Sequence, residues 1–69
     1  MDDLSVILPS FQENHDTIKK IVEELENLGI ETIVVDDGSP IPYPKSIKHG
    51  SNFGYGAALL TGIKNATRP

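Results

Sequence analysis

Residues 32–39 read Thr-Ile-Val-Val-Asp-Asp-Gly-Ser, and this segment indicates the architecture of the whole chain. Its β-branched residues favour a buried strand, which we expect over residues 31–36. The carboxylates of Asp36 and Asp37 close the segment, and Gly38 with Ser39 is typical of a turn. Open α/β sheets bind ligands at the carboxyl ends of their parallel strands. The acidic pair is therefore a candidate site.

The residues before this segment predict a strand and a helix. Residues 4–8 form a short apolar run ended by Pro9, which indicates a first strand. A helix is expected from about residue 16 or 17, capped by Asn14 or Asp16 and stopped by Gly29. Strand, helix and strand in this order predict a βαβ unit with a right-handed crossover. The apolar face of the helix is expected to consist of Ile18, Ile21, Val22, Leu25 and Leu28.

The residues after the acidic pair predict one more strand and one more helix. Prolines at positions 40, 42 and 44 indicate a stiff, extended connector. Residues 46–49 are expected to form a short strand at the edge of the sheet. A glycine-rich segment then leads into a helix over roughly residues 55–66. Its packing face is expected to consist of Ala58, Leu59, Gly62, Ile63 and Ala66.

The composition argues against several classes of protein. The chain has 69 residues, no cysteine and a net charge of −4, with only six Lys and Arg residues. It therefore has no thiolate for a metal and no basic surface for nucleic acid. No apolar run approaches the roughly 20 residues of a membrane span, and the first residues do not form a signal peptide. We expect a soluble, cytoplasmic chain without a membrane segment.

The acidic pair has two interpretations. Adjacent residues at a strand end point to opposite faces of the sheet, so one carboxylate could bind a base N–H or a sugar hydroxyl while the other caps the next loop. Alternatively, Asp37, Gly38 and Ser39 form a simple Asx turn without a ligand.

Other residues at the same end of the sheet also have two interpretations. Gly54 and Gly56 could open a phosphate-binding helix N-terminus, or they could only permit tight turning and close packing. Phe11 could stack on a nucleobase or act as a hydrophobic plug for the helix above it. Glu13 could bond a ribose or stabilise the helix that follows it. The two histidines, His15 and His49, have no partner visible in the sequence and are interpreted as ordinary loop and edge residues.

Three ordered motifs resemble the start of a family-2 glycosyltransferase with the nucleotide-sugar-binding GT-A fold. Residues 6–13 are similar to the family's V-I-P-x-Y-N-E, and residues 33–39 to its I-V-V-D-D-G-S. Residues 52–59 with Gly62 are similar to its N-x-G-x-G-x-A-L…G helix start. The last motif also resembles the branch that acts on polyprenyl phosphates, such as dolichyl-phosphate mannosyltransferases. The resemblance implies a three-layer, Rossmann-like α/β half-fold, β-α-β-β-α, with a mainly parallel sheet in the order 3-2-1.

The resemblance also implies roles for individual residues. Pro9 and Phe11 are expected to lie along the nucleobase of a UDP- or GDP-sugar, and Asp37 to accept a hydrogen bond from it. Glu13 is expected near the ribose, and the turn at Gly54 and Gly56 shapes the same pocket. Phe11 replaces the usual Tyr and Gln12 the usual Asn. The nucleotide-binding residues expected in full are Pro9, Phe11, Glu13, Asp36, Asp37, Gly54 and Gly56.

The family's metal-binding D-x-D motif has no counterpart here, because no carboxylate follows Asp37. We therefore expect residues 1–69 to be the truncated N-terminal nucleotide-binding part of a transferase domain, without catalytic residues, metal or cofactor. A divalent cation, Mg²⁺ or Mn²⁺, is expected in the full-length enzyme. Truncation would leave the first strand unpaired at one edge, so self-association through that edge is expected.

Three functions remain open from the sequence. The chain is the nucleotide-binding part of a sugar transferase, a non-catalytic nucleotide-binding module, or an assembly domain that reuses the fold. A titration with UDP and GDP distinguishes the second from the third, because nucleotide binding requires changes at Phe11 and Asp37 and assembly does not.

Overall fold

A computed structural model describes residues 3–68, which fold as β-α-β-β-α. The three strands form one parallel sheet in the order β1-β2-β3, which is the predicted order read from the opposite edge. The α/β class and the half-fold topology are therefore confirmed. The elements are β1 (Ser5–Ser10), α1 (His15–Asn27), β2 (Glu31–Asp37), β3 (Ile47–His49) and α2 (Tyr55–Asn65).

The two helices lie on opposite faces of the sheet. Thr32 and Val34 of β2 border a cavity together with side chains of α1. The alternate residue Asp37 instead accepts hydrogen bonds from the amides of Phe53 and Gly54, just before α2. Successive strand residues point to opposite faces, so this alternation gives the three predicted layers. Val35, at the centre of the sheet, is completely buried.

Local signals set the limits of α1. Asn14 is the N-cap, and its side-chain oxygen accepts hydrogen bonds from the amides of Asp16 and Thr17. At the other end Gly29 takes φ +75°, and the amides of Gly29 and Ile30 bond back to the last turn as in a Schellman motif. Both predicted signals are confirmed, although the helix begins one residue earlier than expected.

Part of the predicted apolar face of α1 is exposed. Ile18 is buried, but Ile21 is 38% exposed and Leu28 is 59% exposed. Within residues 3–68, β1 has β2 on one side only. The predicted apolar face of α1 is therefore only partly buried against the described residues.

The strand β1 continues through Pro9 to Ser10, beyond the predicted end. Proline removes a donor from a ladder, which an edge strand tolerates because it pairs on one side only. The strand β2 is also one residue longer than predicted, since Asp37 pairs with His49 of β3.

The connector before β3 is held against α1. The ring nitrogen Nε2 of His15 lies 2.9 Å from the carbonyl oxygen of Ile41, and the same ring meets Tyr43 edge-on at 5.7 Å. The short strand that follows lies at the predicted edge and is parallel to β2. A proline-rich loop thus makes the crossover without a helix.

The helix α2 packs closely on the sheet through its small residues. Ala58 and Gly62 are buried, and a Cβ atom on Gly62 would overlap the side chain of Ile7. The predicted close approach is therefore confirmed. Ile63, however, is 62% exposed, so its assignment to the packing face was wrong. Neither α1 nor α2, the helices of the described residues, is long and apolar enough to cross a membrane.

Candidate functional site

A cavity of about 290 Å³ lies where the carboxyl ends of β1 and β2 meet the start of α2. Parallel strands place their carboxyl ends at one edge of the sheet, so residues distant in sequence converge there. The residues that line it are Pro9, Ser10, Phe11, Glu13, Asp37, Asn52, Gly54, Tyr55 and Ala58.

The carboxylate of Asp37 is the central polar group of this cavity. Its Oδ1 accepts hydrogen bonds from the Phe53 amide at 2.9 Å and from Nδ1 of His49 at 2.7 Å. Its Oδ2 accepts one from the Gly54 amide at 2.8 Å. The residue is only 5% exposed. Asp37 thus fixes the loop before α2 as well as facing the cavity.

These hydrogen bonds stabilise the charged form of Asp37. The bond from His49, followed by that from the Phe53 amide, lowers the pKa of the Asp37 carboxyl below its ordinary value of 3.8. Asp37 is therefore ionised at neutral pH and acts as an acceptor only.

Asp36 has a structural position on the other face of the sheet. Its Oδ2 accepts a hydrogen bond from the Ser39 amide at 2.8 Å, and its Oδ1 lies 3.5 Å from Oγ of Ser10. It is buried and does not line the cavity. The turn is therefore capped by Asp36, and the alternative interpretation of an Asx turn made by Asp37 was wrong.

His49 has partners that sequence reasoning missed. Its Nδ1 meets Asp37, and its Nε2 lies 2.8 Å from Oγ1 of Thr61 on α2. The interpretation of His49 as an ordinary edge residue was therefore wrong. Its contact with Asp37 follows from the parallel pairing of β2 with β3. The contact could have been predicted only from this strand pairing, and the sequence does not reveal the orientation of β3.

Exposed aromatic side chains border the cavity. Phe11 is 42% exposed and Tyr55 is 71% exposed, and both line it. Aromatic faces left open to solvent beside a polar acceptor suit a flat ligand that is partly apolar. Phe11 is therefore more exposed than a hydrophobic plug beneath the helix, the alternative interpretation, would be.

The loop between β1 and α1 is strained and tied to β2. Gln12 takes φ +57°, the left-handed region that non-glycine residues rarely adopt. Its amide donates a hydrogen bond of 2.7 Å to Oγ of Ser39. This bond joins the loop that carries Phe11 and Glu13 to the turn after the acidic pair, so the two sides of the cavity are linked directly.

The N-terminus of α2 opens toward the same region. Gly54, its N-cap, takes φ +98° and no side chain caps the first-turn amides. A Cβ on Gly56 would meet nothing within 4 Å, so Gly56 is not required by packing against the described residues. Uncapped amides at a helix N-terminus attract anions.

The structure brings most of the predicted site residues together. Pro9, Phe11, Glu13, Asp37 and Gly54 line one cavity, whereas Asp36 and Gly56 do not. Ser10, Asn52 and Tyr55 line it without having been predicted. A larger cavity of about 500 Å³ lies between α1 and the connector, over Thr32 and Val34. It is away from the strand ends and contains none of the predicted residues.

The residues at the cavity do not fit a divalent cation. Among residues 3–68 there is no cluster of three His, Asp or Glu side chains that could hold a metal ion. Both oxygens of Asp37 already receive N–H donors. The side chains that line the cavity offer hydrogen bonding and stacking.

The sequence matches the family model described as "Glycosyl transferase family 2" over residues 5–69. The chain belongs to this family. No curated protein and no solved structure gave a significant match. Family membership confirms the resemblance drawn from the three motifs. It also makes glycosyl transfer the general function of this glycosyltransferase sequence.

Proposed function

We propose that the cavity at the strand ends binds the nucleotide part of a nucleotide-diphospho-sugar, the donor for glycosyl transfer. The observation that carries this proposal is the convergence of Phe11, Glu13 and Asp37 around one cavity, although they lie in separate segments of the sequence. The cavity combines an ionised acceptor with exposed aromatic faces. These are the features that a nucleobase needs for hydrogen bonding and stacking.

The base is proposed to stack beside Phe11 and Tyr55 and to donate one hydrogen bond to Asp37. A carboxylate has about four acceptor positions, and three are occupied by donors from the chain. Since Oδ1 receives two of them and Oδ2 one, the remaining position is on Oδ2. Asp37 can therefore accept from one further N–H group.

The single remaining acceptor position on Asp37 favours uracil over guanine. Uracil presents a single N–H between two carbonyl groups, whereas guanine presents two adjacent donors that need both carboxylate oxygens. Asn52 lines the same cavity, and its Oδ1 is already bonded to the Gly54 amide at 3.1 Å. Its amide nitrogen can donate to a carbonyl of uracil. We therefore expect UDP to bind more tightly than GDP.

The sugar and phosphate groups have candidate partners on either side of the base. Glu13 lines the cavity and is exposed, which suits a hydrogen bond to the ribose hydroxyls. The uncapped N-terminus of α2, with open space at Gly56, suits the diphosphate. Gly56→Ala is expected to preserve the fold and weaken UDP binding, because its methyl group would occupy that space.

The proposal is tested by titrating the chain with UDP and with GDP and measuring the amide chemical shifts in NMR spectra. UDP is expected to shift the signals of Phe11, Asp37 and Gly54. Phe11→Ala is expected to weaken UDP binding about tenfold, in line with roughly 1–3 kcal/mol per stacked base. Leu60→Ala is the matched control, because Leu60 is 53% exposed and is not among the residues that line this cavity. Equal effects of the two substitutions, or shifts spread evenly over the chain, would contradict the proposal.

The remaining steps of the reaction are proposed to use groups outside residues 5–69. Transfer from a nucleotide-diphospho-sugar needs a cation or a basic group at the leaving phosphates. No carboxylate after Asp37 is available to hold Mg²⁺ or Mn²⁺. We therefore expect the 69-residue chain to bind the donor without turning it over. The similarity of the α2 motif to the polyprenyl-phosphate branch supports a polyprenyl phosphate as the acceptor of the sugar. The cytoplasmic location expected from the sequence stays a prediction.

Self-association through β1 is the proposed behaviour of the isolated chain. In the described sheet β1 pairs only with β2, and Ile21 borders a small cavity over β1 together with Leu8. An unpaired edge beside apolar surface favours pairing with a second copy. Light scattering after size-exclusion chromatography is expected to give a dimer, and Ile21→Lys a monomer. A monomeric wild-type chain at millimolar concentration would contradict this part of the proposal.

A further inference from the structure

The side chain of His49, at the end of β3, joins Asp37 of the candidate site to the helix α2. Its Nδ1 lies 2.7 Å from Oδ1 of Asp37 on β2, and its Nε2 lies 2.8 Å from Oγ1 of Thr61 on α2. The His49 side chain is only 12% exposed, and that of Asp37 only 7%. The three side chains therefore form a hydrogen-bonded chain that is mostly shielded from water.

The direction of this chain follows from the chemistry of its end group. An ionised carboxylate only accepts hydrogen bonds, so Nδ1 of His49 must carry the proton that points at Asp37. In a neutral ring Nε2 is then the acceptor, and the hydroxyl of Thr61 donates to it. Asp37 thus selects the tautomer of His49, and the hydroxyl of Thr61 is compatible with it.

The bond from His49 also limits how the Asp37 carboxylate can turn. With Nδ1 of His49 and the Phe53 amide on Oδ1, rotation of the carboxylate would break two hydrogen bonds at once. The Gly54 amide on Oδ2 adds a third constraint. Only one acceptor position, on Oδ2, remains for a ligand.

We propose that His49 is a positioning residue: through Nδ1 it holds the Asp37 carboxylate so that a single acceptor position faces the cavity, while Thr61 holds the ring through Nε2. The proposal extends the proposed function, because it names the residue that prepares Asp37 for the nucleobase. His49 itself does not line the cavity, so it acts through Asp37 and not by touching the nucleotide.

Two other roles for the same geometry are less consistent with the structure. An acid, a histidine and a hydroxyl in series are also the parts of a nucleophilic triad. Thr61, however, lies within α2 and is not among the residues that line the cavity, so its hydroxyl has no access to a substrate there. A purely packing role would rest on the edge-on contact between His49 and Phe53 at 5.4 Å, which does not require either ring nitrogen.

Two substitutions of His49 distinguish the roles of its two ring nitrogens. His49→Asn keeps a donor near the position of Nδ1 and loses the reach to Thr61. His49→Gln places its amide near the position of Nε2 and loses the bond to Asp37. Asn is one methylene smaller than Gln, so a packing role predicts the larger effect in His49→Asn, whereas a positioning role predicts it in His49→Gln.

The first measurement needs no ligand. In the complete chain, the titration midpoint of the Asp37 carboxyl carbon in NMR spectra is expected to rise in His49→Gln and to stay near the wild-type value in His49→Asn. Ring nitrogen shifts of wild-type His49 are expected to give the tautomer protonated at Nδ1. Equal midpoints in the two variants, or the tautomer protonated at Nε2, would overturn the proposal.

The second measurement uses UDP as the probe. UDP affinity is expected to fall about tenfold in His49→Gln, the loss typical of one hydrogen bond to a charged group, and by less than about threefold in His49→Asn. Thr61→Val, nearly isosteric, is expected to have an intermediate effect. Equal losses in the two variants, or a larger loss in His49→Asn, would overturn the proposal. If the wild-type chain binds neither UDP nor GDP, the proposed function fails, and the ligand-free titration still decides whether His49 positions Asp37.

Discussion

The two ends of the sheet are both organised by a carboxylate of β2, yet they differ in what surrounds it. At the carboxyl end, Asp37 receives two backbone amides and one histidine. At the amino end, Glu31 receives the hydroxyl of Ser5 at 2.7 Å and the amide and hydroxyl of Thr67. Both carboxyls have a lowered pKa. A perturbed acid is thus present at both ends, but only one of them borders a cavity with exposed aromatic rings.

The comparison teaches that a lowered pKa does not by itself mark a binding site. The described donors to the Glu31 carboxylate belong to the start of β1 and to the segment after α2. Arg68 extends this clamp by donating from Nη1 to the carbonyl oxygen of Gly29 at 2.6 Å. The amino end therefore fastens residues 67 and 68 to the sheet. The carboxyl end combines the same type of fastening with the acceptor position on Oδ2 of Asp37 that is proposed to bind a ligand.

The largest expected effect is a loss of stability when a glycine at the carboxyl end of the sheet is replaced, compared with a glycine at the amino end. A Cβ on Gly38 would lie 2.6 Å from the backbone of residues 51 and 52, at φ +86°. Because backbone cannot move aside as a side chain can, Gly38→Ala is expected to lower the free energy of unfolding by at least about 3 kcal/mol. Gly29→Ala, at φ +75° at the other end, is expected to cost about 1–2 kcal/mol. Urea unfolding of both variants measures the difference, and equal losses would mean that the two ends are packed alike.

The next effect concerns function. Asp37→Asn replaces an acceptor oxygen by an amide that faces N–H donors, so UDP affinity is expected to fall by tenfold or more. Glu31→Gln makes the same chemical change at the amino end of the sheet. Because Glu31 does not line the cavity, this variant is expected to bind UDP within about twofold of the wild-type affinity. Isothermal titration calorimetry on the folded variants provides the test. A comparable loss in both would show that the ligand senses the whole fold and not the cavity.

Acid sensitivity gives a third test, with an effect on stability alone. Hydrogen bonds from the Thr67 hydroxyl and then the Ser5 hydroxyl lower the pKa of Glu31 from 4.5 to about 2. A lowered pKa stabilises the fold above the unfolded value of 4.5, and this contribution disappears as the pH falls toward 2. Glu31→Gln is therefore expected to be less stable at neutral pH and to lose less stability on acidification. Thermal melts between pH 7 and pH 3 would contradict this if both proteins had parallel profiles.

The smallest expected effect is a gain in stability at the carboxyl end. Gln12 occupies the left-handed region at φ +57°, where Asn is better tolerated. Gln12→Asn is expected to raise the free energy of unfolding by roughly 0.5 kcal/mol. The exposed helix substitution Lys20→Gln serves as a control for general surface effects. A loss of stability in Gln12→Asn would show that the Gln side chain has a role beyond the backbone.

Local patterns predicted those features of the fold that depend on neighbours in sequence. The Asn14 cap, the Gly29 stop and the strand that ends at the acidic pair all follow from a few adjacent residues. The exposure of Ile21 and Ile63 depends instead on which elements cover them. The bond between His49 and Asp37 depends on the orientation of β3, and the proline-rich connector does not reveal that orientation. Site residues were therefore predicted individually, while the contacts between them required the three-dimensional arrangement.

The bonds that Asp37 accepts have a consequence for how the site opens. Opening of the loop at Phe53 and Gly54 would strip a buried anion of two amide donors, a costly step compared with the fraying of an ordinary surface loop. These two amide hydrogens should consequently exchange with deuterium about as slowly as those of the central strand. Although its backbone is irregular, the loop would then open only in step with cooperative unfolding of the sheet.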